Sequence, residues 1–324
     1  MRSTGHRHAL IPPPARSAAA VLLAVLAIST FWSGGHPAAA GTVVTIDADR
    51  QFALAEELFA RGDYPQAIAE YKRFVYFFDD DARTGRALFQ IGQAHVETSQ
   101  WTAAIEAFQT LIDRYDPSAL AFRAYFRQST CYLKQRNQGA ALVCLHNLIT
   151  AADDPDVRDE AYYRIGWIHV EMTAWQKALA AFDRIGSRNR DTYRLQTLSE
   201  ELSATESIPR KDPFAAGLLS VVPGAGYLYC QRRQDALVAF LVNVGLGLAA
   251  WEAFDNDLEA LGSILAVVEL GFYTGNIYGA VGSAHKYNRR QSQRFVDRLK
   301  QRLRVHLGAG GGARKVTVSL GFAF

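Results

Sequence analysis

The middle of the chain repeats one pattern of apolar and polar positions four times, at a constant step of 37 residues. In each unit a small residue is followed by an alanine and then by a large apolar residue. The small residues are Ala55, Gly92, Ser129 and Gly166, and the alanines are Ala67, Ala104, Ala141 and Ala178. The large residues are Tyr71, Phe108, Leu145 and Phe182. Because three positions recur together, we interpret the four units as one repeated structural element.

Each unit is predicted to form two helices joined by a short polar turn. In the first unit this turn lies at 61–63, where Gly62 can adopt a positive φ angle. Small residues at the crossing allow the paired helices to approach closely, and the large residues fill the space between neighbouring pairs. One pair cannot bury its apolar face alone, so the pairs must stack. The pattern predicts an all-α solenoid of four helical hairpins over residues 41–188.

The segments LAEELFARGDYPQAIAEYKRFV and LFQIGQAHVETSQWTAAIEAFQTLI resemble the tetratricopeptide-repeat (TPR) family in their small, aromatic and alanine positions. The step is longer than that family's usual 34 residues, and the third unit departs from the pattern at Gln138 and Leu145. The segment FQTLIDRYDPSALAFRAYF is similar to TPR proteins of bacterial outer-membrane assembly and envelope maintenance. The resemblance covers residues 48–188, and it implies a scaffold that binds proteins or peptides.

One position of the first helices is aromatic in every unit, and the TPR resemblance implies that it faces a peptide-binding groove. These residues are Phe52, Phe89, Phe126 and Tyr163. The same helices also carry a tryptophan and four arginines, which are Trp167, Arg86, Arg123, Arg127 and Arg164. Aromatic rings beside guanidinium groups suit a peptide that carries carboxylates. Packing of the rings between helices is the alternative, and the sequence leaves the two interpretations open.

The composition changes sharply after the repeats. A capping helix and a polar linker are predicted over 189–212, and three apolar stretches follow, at 214–230, 236–254 and 261–284. The second and third stretches are long enough to cross a membrane, whereas the sequence Pro-Gly-Ala-Gly interrupts the first. We therefore predict a membrane module over 213–284 with two or three hydrophobic helices. Basic residues after the first and third stretches, with acidic residues after the second, favour three spans.

The segments PFAAGLLSVVPGAGYLYCQRRQDALVAFLVN and NIYGAVGSAHKYNRRQ resemble a small membrane module that is appended to envelope TPR proteins. Three glycines at four-residue spacing form a smooth helix face in this module: Gly271, Gly275 and Gly279. We expect this face to pack against the preceding helix near Gly245, and a homo-oligomer through the membrane helices is the alternative. Glu269 should face protein or water, with a hydrogen bond to Asn243 expected ahead of an ion pathway.

The N-terminal residues 1–40 are predicted to be a secretory signal peptide. Three arginines flank or precede the apolar stretch 18–32, and Ala38, Ala39 and Ala40 form a signal-peptidase site before Gly41. An uncleaved anchor helix is the alternative. Both interpretations place the repeats in the periplasm of a bacterial cell envelope, with the inner membrane favoured over the outer membrane.

The C-terminal residues 285–324 are predicted to form a basic amphipathic helix and a Gly-rich tail. Phe295, Leu299 and Leu303 lie on one side of this helix. We expect that side to contact anionic membrane lipid, and a solvated helix is the alternative. The final segment KVTVSLGFAF alternates apolar and polar residues and is interpreted as an edge strand for a partner or as disorder.

Composition and motifs exclude several function classes. The formal net charge of +3 is too small to suggest a nucleic-acid partner. The sequence does not decide whether Cys131 and Cys144 form a disulfide or remain two free thiols. Without a phosphate-loop, nucleophile-elbow or H-E-x-x-H motif, we predict no enzyme activity, cofactor or metal. The predicted function is a non-catalytic scaffold of the cell envelope. The alternative is an accessory subunit of a membrane transport or protein-insertion system, in which the C-terminal helices act.

Overall fold

The computed structural model describes residues 47–308, with side chains described to residue 303. Every regular element in these residues is a helix, which confirms the predicted all-α class. The predicted signal peptide, the Gly-rich tail and the strand-like C-terminus lie outside the described residues. Eight helices form the repeats: α1 Ala48–Ala60, α2 Tyr64–Phe77, α3 Thr84–Glu97, α4 Trp101–Tyr115, α5 Ala119–Lys134, α6 Gln138–Ala151, α7 Pro155–Glu171 and α8 Trp175–Phe182.

The eight helices form four hairpins that stack in sequence order into a solenoid, as the repeat pattern predicts. The small residue of each first helix lies where the second helix crosses it. A Cβ atom at Gly92 would overlap the ring of Phe108, and one at Gly166 would overlap the ring of Phe182. The other small positions are fully or almost fully buried: Ala55, Ala67, Ala104, Ser129, Ala141 and Ala178. Close helix contact in the second and fourth hairpins therefore requires glycine.

The turn inside each hairpin has the same backbone conformation in all four units. One residue of each turn has a positive φ angle, and these residues are again 37 positions apart. They are Gly62 at 80°, Ser99 at 57°, Arg136 at 58° and Thr173 at 57°. The left-handed conformation costs an L-residue about 1 kcal/mol, so only the first unit carries the residue type that this turn favours.

Two further segments cover the open end of the fourth hairpin. The first consists of a short helix, α9 Ser187–Arg190, and the nine-residue helix α10 Leu195–Ser203. Helix α10 occupies the position where the sequence predicts a capping helix. Three leucines at helical spacing join the apolar cluster of the last hairpin: Leu195, Leu198 and Leu202.

The second cover comes from the end of the last helix, α14 Glu259–Gly308, which is 50 residues long. Its residues Phe295, Val296 and Leu299 are buried in the same cluster. The Phe295 ring contacts the Trp175 ring edge-on, with 5.5 Å between their centroids. The expectation that Phe295 and Leu299 contact lipid is therefore wrong, because the repeat array covers them. The basic amphipathic pattern is the same whether lipid or protein lies beneath it.

Between the array and the long apolar helices, two short helices form a hairpin against α14. These are α11 Pro213–Leu219 and α12 Ala225–Tyr229. The backbone of Lys211, just before α11, exchanges two hydrogen bonds of 2.7 and 2.8 Å with the side chain of Asn288. Arg232, just after α12, donates to the hydroxyl of Ser283 at 3.0 Å. Both ends of this hairpin therefore contact the same part of α14, between Ser283 and Asn288.

The tip of the α11–α12 hairpin lies further along α14, toward its N-terminus. The side chain of Asn276 donates to the Ser220 carbonyl at 2.9 Å and accepts from the Gly224 amide at 3.2 Å. Tyr273 donates to the Val221 carbonyl at 3.0 Å. Side chains of α14 therefore satisfy the backbone groups that the break between α11 and α12 exposes.

Two of the described helices are long and apolar enough to cross a membrane: α13 Arg233–Asp255 and α14. The prediction of a third span is wrong, because α11 and α12 have only seven and five residues, whereas a helical span needs about 20. Most of the apolar windows of α13 and α14 are not buried by the rest of the chain. Helix α14 contacts the array through residues that follow its apolar part. If α13 and α14 both crossed a membrane, the array, Lys211 and Arg232 would therefore lie on one side. The turn after α13 would lie on the other side.

Candidate binding face of the repeat array

The aromatic residues of the first helices lie mainly inside the array. Phe52, Phe89 and Tyr163 each expose less than a tenth of their surface, and Phe126 is half-buried. The Phe89 ring lies 5.6 Å from the Phe108 ring of the following helix, measured between centroids. The expectation that these four rings form an open groove lining is therefore wrong for the three buried ones. The three buried rings instead pack against the second helix of their own unit.

An arginine of the next unit covers each of the first three rings. The guanidinium carbon of Arg86 lies 5.4 Å from the Phe52 centroid, and that of Arg123 lies 4.7 Å from the Phe89 centroid. Arg164 lies 4.3 Å from the centroid of Phe126. Each contact is a cation–π interaction that links consecutive hairpins. What the first helices present outward is therefore a row of guanidinium groups with aromatic rings beneath them.

The last ring of this series has a different cover, since no fifth repeat follows. Tyr193, in the segment before α10, stacks on Tyr163 with 4.3 Å between centroids and 18° between planes. Trp167 is buried in the apolar cluster that α10 and α14 complete. The prediction that Trp167 lines a groove is therefore wrong, because the end of the array closes over it.

The arginines of this face differ in whether a carboxylate neutralises them. Arg86 forms an ion pair with Glu56 of the preceding unit, and Arg164 pairs with Glu160 on its own helix at 2.6 Å. Arg123 and Arg127 are exposed, and neither has an ion-pair partner in the part of the chain that the structure describes. They lie four residues apart on α5, and therefore on one side of that helix. The unneutralised positive charge of the face is concentrated in the third unit.

The third unit also contains two cysteines with free, buried thiols, Cys131 and Cys144. The structure therefore shows the free-thiol alternative rather than the disulfide. Burial raises the pKa of Cys131 to about 11 and that of Cys144 to about 12. Because the thiolate is the reactive form, these groups pack rather than react. Within residues 47–303, no group of three metal-ligating side chains lies close enough to hold an ion.

The polar residues predicted for the membrane helices do not bond to one another. Asn243 donates from Nδ2 to the Ala239 carbonyl of its own helix at 2.6 Å. Its Oδ1 atom and the Oε2 atom of Glu269 have no hydrogen-bond partner among the described residues. The predicted hydrogen bond between Glu269 and Asn243 is therefore wrong. Each side chain lies on a separate helix without reaching the other.

The glycine face of α14 is also largely unpartnered. A Cβ atom at Gly271 or Gly275 would meet no atom within 4 Å, and the same holds at Gly245 on α13. Only Gly279 of the three makes the close contact that was expected, against the ring of Tyr227 rather than α13. The expected packing of this face on α13 near Gly245 is wrong, because the space beside Gly245, Gly271 and Gly275 is open.

Sequence reasoning missed two features of this molecule. The arginines that lie over the aromatic rings could have been predicted. Arg86 and Arg123 recur at the 37-residue step, one turn before the aromatic position. The role of Asn276 had a weaker signal. The Pro-Gly-Ala-Gly interruption exposes backbone amides and carbonyls. A carboxamide side chain such as that of Asn276 can satisfy both kinds of group.

Comparison with known proteins supports the helical-repeat class. The family model described as tetratricopeptide repeat matches residues 86–118 and 160–192. These two segments cover parts of the second hairpin and of the fourth. The match therefore identifies tetratricopeptide repeats in these two segments.

Several solved structures are similar at low identity. A MamA fragment from Desulfovibrio magneticus RS-1 is 18% identical, covering 60% of this chain and 90% of that one with a TM-score of 0.35. YrrB, a TPR protein described as having an unusual peptide-binding site, is 18% identical over 68% of this chain and 91% of that one, with a TM-score of 0.33. A tetratricopeptide repeat protein from Parabacteroides merdae ATCC 43184 is 14% identical, covering 77% and 97% with a TM-score of 0.42. No curated protein matches the chain.

Proposed function

We propose that the protein is a non-catalytic scaffold of a bacterial cell envelope, which captures acidic peptide segments on its repeat array and is held at a membrane by α13 and α14. The observation that carries the binding role is the pair Arg123 and Arg127. Both are exposed cations without an ion-pair partner among the described residues, and they lie on the first-helix face of a TPR-type array.

Guanidinium groups recognise carboxylates through paired hydrogen bonds, so a partner with Asp or Glu side chains fits this face. The cation–π contact of Arg123 with Phe89 holds that guanidinium in place before a partner arrives. A held side chain loses less conformational entropy on binding than a free one. The third unit of the array is therefore proposed as the main contact.

The test measures retention of fluorescent poly-Glu peptides by the full chain in mild detergent. We expect Arg123→Gln with Arg127→Gln to weaken binding about tenfold or more, a loss of at least about 1.4 kcal/mol. The control removes two exposed charges elsewhere, as Lys72→Gln with Arg184→Gln, and should leave binding nearly unchanged. Equal weakening in both double variants would show that net charge, and not the α5 face, attracts the peptide.

The membrane attachment is proposed from the exposed apolar surface of α13 and α14 and from the re-entrant geometry of α11 and α12. The proposed arrangement has two crossings, with the array on the same side as the C-terminal part of α14. The predicted signal peptide supports a periplasmic array, with inner-membrane attachment favoured and the outer membrane open.

A cytoplasmic array is the second candidate orientation, and the distribution of basic residues favours it. Arg210, Lys211, Arg232 and Arg233 precede the first crossing, whereas no Lys or Arg occurs between the two crossings. Basic segments tend to remain on the cytoplasmic side of short membrane hairpins. Labelling of intact cells distinguishes the two orientations. A thiol reagent that crosses the outer membrane but not the inner membrane should label Arg210→Cys only if the array is periplasmic.

A further inference from the structure

Six basic residues lie next to the apolar helices, on the side of the repeat array. They come from the segment before α11, the start of α13 and the segment 286–290 of α14. We call these residues the basic collar: Arg210, Lys211, Arg233, Lys286, Arg289 and Arg290. The three segments are held together by the hydrogen bonds of Lys211 with Asn288 and of Arg232 with Ser283.

The basic collar has little negative charge to neutralise it. None of its six residues has an ion-pair partner in the described part of the chain, whereas the neighbouring Arg232 pairs with Asp235 at 2.6 Å. Asp212 lies beside the collar, and its Oδ1 atom already accepts a hydrogen bond from the Phe214 amide at 2.9 Å. Five of the six side chains are exposed, and Lys211 is half-buried. The collar is therefore an accessible excess of positive charge.

Lys211 is the member of the collar whose position is fixed best. Its backbone is bound to the side chain of Asn288 on both sides. Its Nζ atom lies 4.4 Å from the ring centroid of Tyr229 and 5.8 Å from that of Tyr287. An ammonium group has three N–H donors, and within the described residues none of them is bonded to an acceptor. An anion that binds here meets a charge that is already in place, so less conformational entropy is lost on binding.

An exposed apolar surface begins directly after Lys211. Phe214 is 77% exposed and Leu218 is 62% exposed, and the two lie four residues apart on one side of α11. In the proposed membrane attachment this surface contacts hydrocarbon, and the basic collar lies at the level of the lipid headgroups. Tyrosine and lysine are both favoured at that level, because each has an apolar body and a polar end.

The combination of cations with an apolar surface selects among anions. Free phosphate or an acidic peptide could contact the collar, but neither would cover Phe214 and Leu218. A phospholipid joins a phosphate group to apolar chains and fits both parts. A zwitterionic headgroup also carries a quaternary ammonium group, which the collar repels. Each Lys or Arg near a membrane surface strengthens the binding of anionic lipid about fivefold.

We propose that the basic collar binds an anionic phospholipid, with Lys211 donating to a phosphate oxygen and the acyl chains lying along Phe214 and Leu218. The proposal rests on the proposed membrane attachment, and it names the class of lipid that this attachment prefers.

The test uses a photoreactive phosphatidylglycerol with a diazirine in one acyl chain, and a phosphatidylcholine with the same chains as the matched probe. Each probe is added at the same mole fraction to the full chain in phosphatidylcholine nanodiscs, and labelled peptides are quantified by mass spectrometry. The phosphatidylglycerol probe should label α11 about tenfold more than the phosphatidylcholine probe. Unlabelled phosphatidylglycerol should compete with it.

Three variants sharpen the test. Lys211→Gln should lower the preference for phosphatidylglycerol about fivefold, and Lys211→Arg should keep most of it. Arg289→Gln removes an exposed charge of the collar and should lower the preference in the same way, which tests the proposal without disturbing the contacts of Lys211. The matched control is Lys72→Gln, at an exposed lysine of the array, and it should change nothing.

Equal labelling by the two lipids, or an unchanged preference in Lys211→Gln and Arg289→Gln, would overturn the proposal. Inorganic phosphate or poly-Glu peptide that competes as well as phosphatidylglycerol would also overturn it, and would assign the collar to a soluble anion. An equal loss in Lys72→Gln would show that net charge, and not the collar, attracts the lipid.

Alkaline carbonate washing of membranes separates this proposal from the proposed attachment. Release of the protein from the membranes contradicts the attachment itself. Retention of the protein, together with equal labelling by the two lipids, contradicts only the phospholipid site.

Discussion

Glycine has opposite surroundings in the two regions of this molecule. In the repeat array, Gly92 and Gly166 lie so close to a phenylalanine ring that no other residue fits. In the hairpin of α13 and α14, Gly271 and Gly275 face open space. The array thus covers its apolar surface with residues of the same chain. Tyr193 and the C-terminal part of α14 cover its last unit. The hairpin of α13 and α14 leaves much of its apolar surface uncovered by the rest of the chain, and under the proposed membrane attachment lipid covers it.

Two phenylalanines should show the largest difference between the regions. Phe108 is fully buried in the array, whereas Phe240 on α13 is 45% exposed. We expect Phe108→Ala to lower the free energy of unfolding of the array by about 3–5 kcal/mol, and Phe240→Ala to change it by less than about 0.5 kcal/mol. Urea unfolding of the full chain in detergent, followed by tryptophan fluorescence, measures both. Similar losses in the two variants would mean that α13 belongs to the folded core of the array.

The paired glycines give the next largest effect. Gly92→Ala should destabilise the array by about 1–3 kcal/mol, because the new methyl group overlaps the Phe108 ring. Gly271→Ala should leave the array unchanged and should raise helix stability, because alanine is the better helix former. The same urea titration measures the first variant, and resistance of the hairpin to proteolysis in detergent measures the second. A destabilised hairpin in Gly271→Ala would contradict the open space beside Gly271.

The buried thiols predict an alkaline instability that belongs to the array. The pKa values of Cys131 and Cys144 are raised to about 11 and about 12 in the folded chain. Above pH 9 the unfolded state loses these protons first, so the stability falls as pH rises from 9 toward 11. The expected loss is about 1 kcal/mol per thiol at pH 10.

Unfolding free energies at pH 8 and pH 10 should therefore differ less in Cys131→Ala with Cys144→Ala than in the natural chain. The variant has its own lower stability at pH 8, and only the difference between the two pH values is compared. An unchanged difference would show that other groups, such as the buried tyrosines, control the alkaline loss.

The smallest predicted effect concerns the repeated turn. Thr173 is β-branched and has a φ of 57° where the first unit has glycine. We expect Thr173→Gly to stabilise the array by about 0.5–1 kcal/mol, because relief of the left-handed strain exceeds the added entropy of the unfolded chain. The midpoint of urea unfolding should rise, while Thr102→Gly, inside α4, should lower it.

The sequence predicted the array well because periodicity reports packing directly. Residues at the 37-residue step occupy equivalent places, so the hairpins and the turns inside them followed from the pattern. The pattern could not decide whether Phe89 lies in a groove or in the core, since aromatic rings are favoured in both. The decisive group was Arg123, which belongs to the next unit and reaches back over the ring.

The C-terminal helices were harder to predict, because charge and hydropathy describe helices only one at a time. Three apolar stretches with alternating charge suggested three spans. The contact of Phe295 with Trp175 joins residues 120 positions apart, and no local pattern reveals such a contact. The Pro-Gly-Ala-Gly interruption did signal a break, and the structure shows that Asn276 satisfies it.

The two-crossing arrangement is tested most directly by the positions of three single cysteines in sealed membrane vesicles. The native cysteines are buried, so a membrane-impermeant maleimide should report on Lys72→Cys in the array, Arg210→Cys before α11 and Asp257→Cys between the crossings. We expect Lys72→Cys and Arg210→Cys to be labelled together, and Asp257→Cys to be labelled only in vesicles of the opposite orientation. Labelling of Asp257→Cys together with the other two would contradict the two-crossing arrangement, because the hairpin would then not cross the membrane.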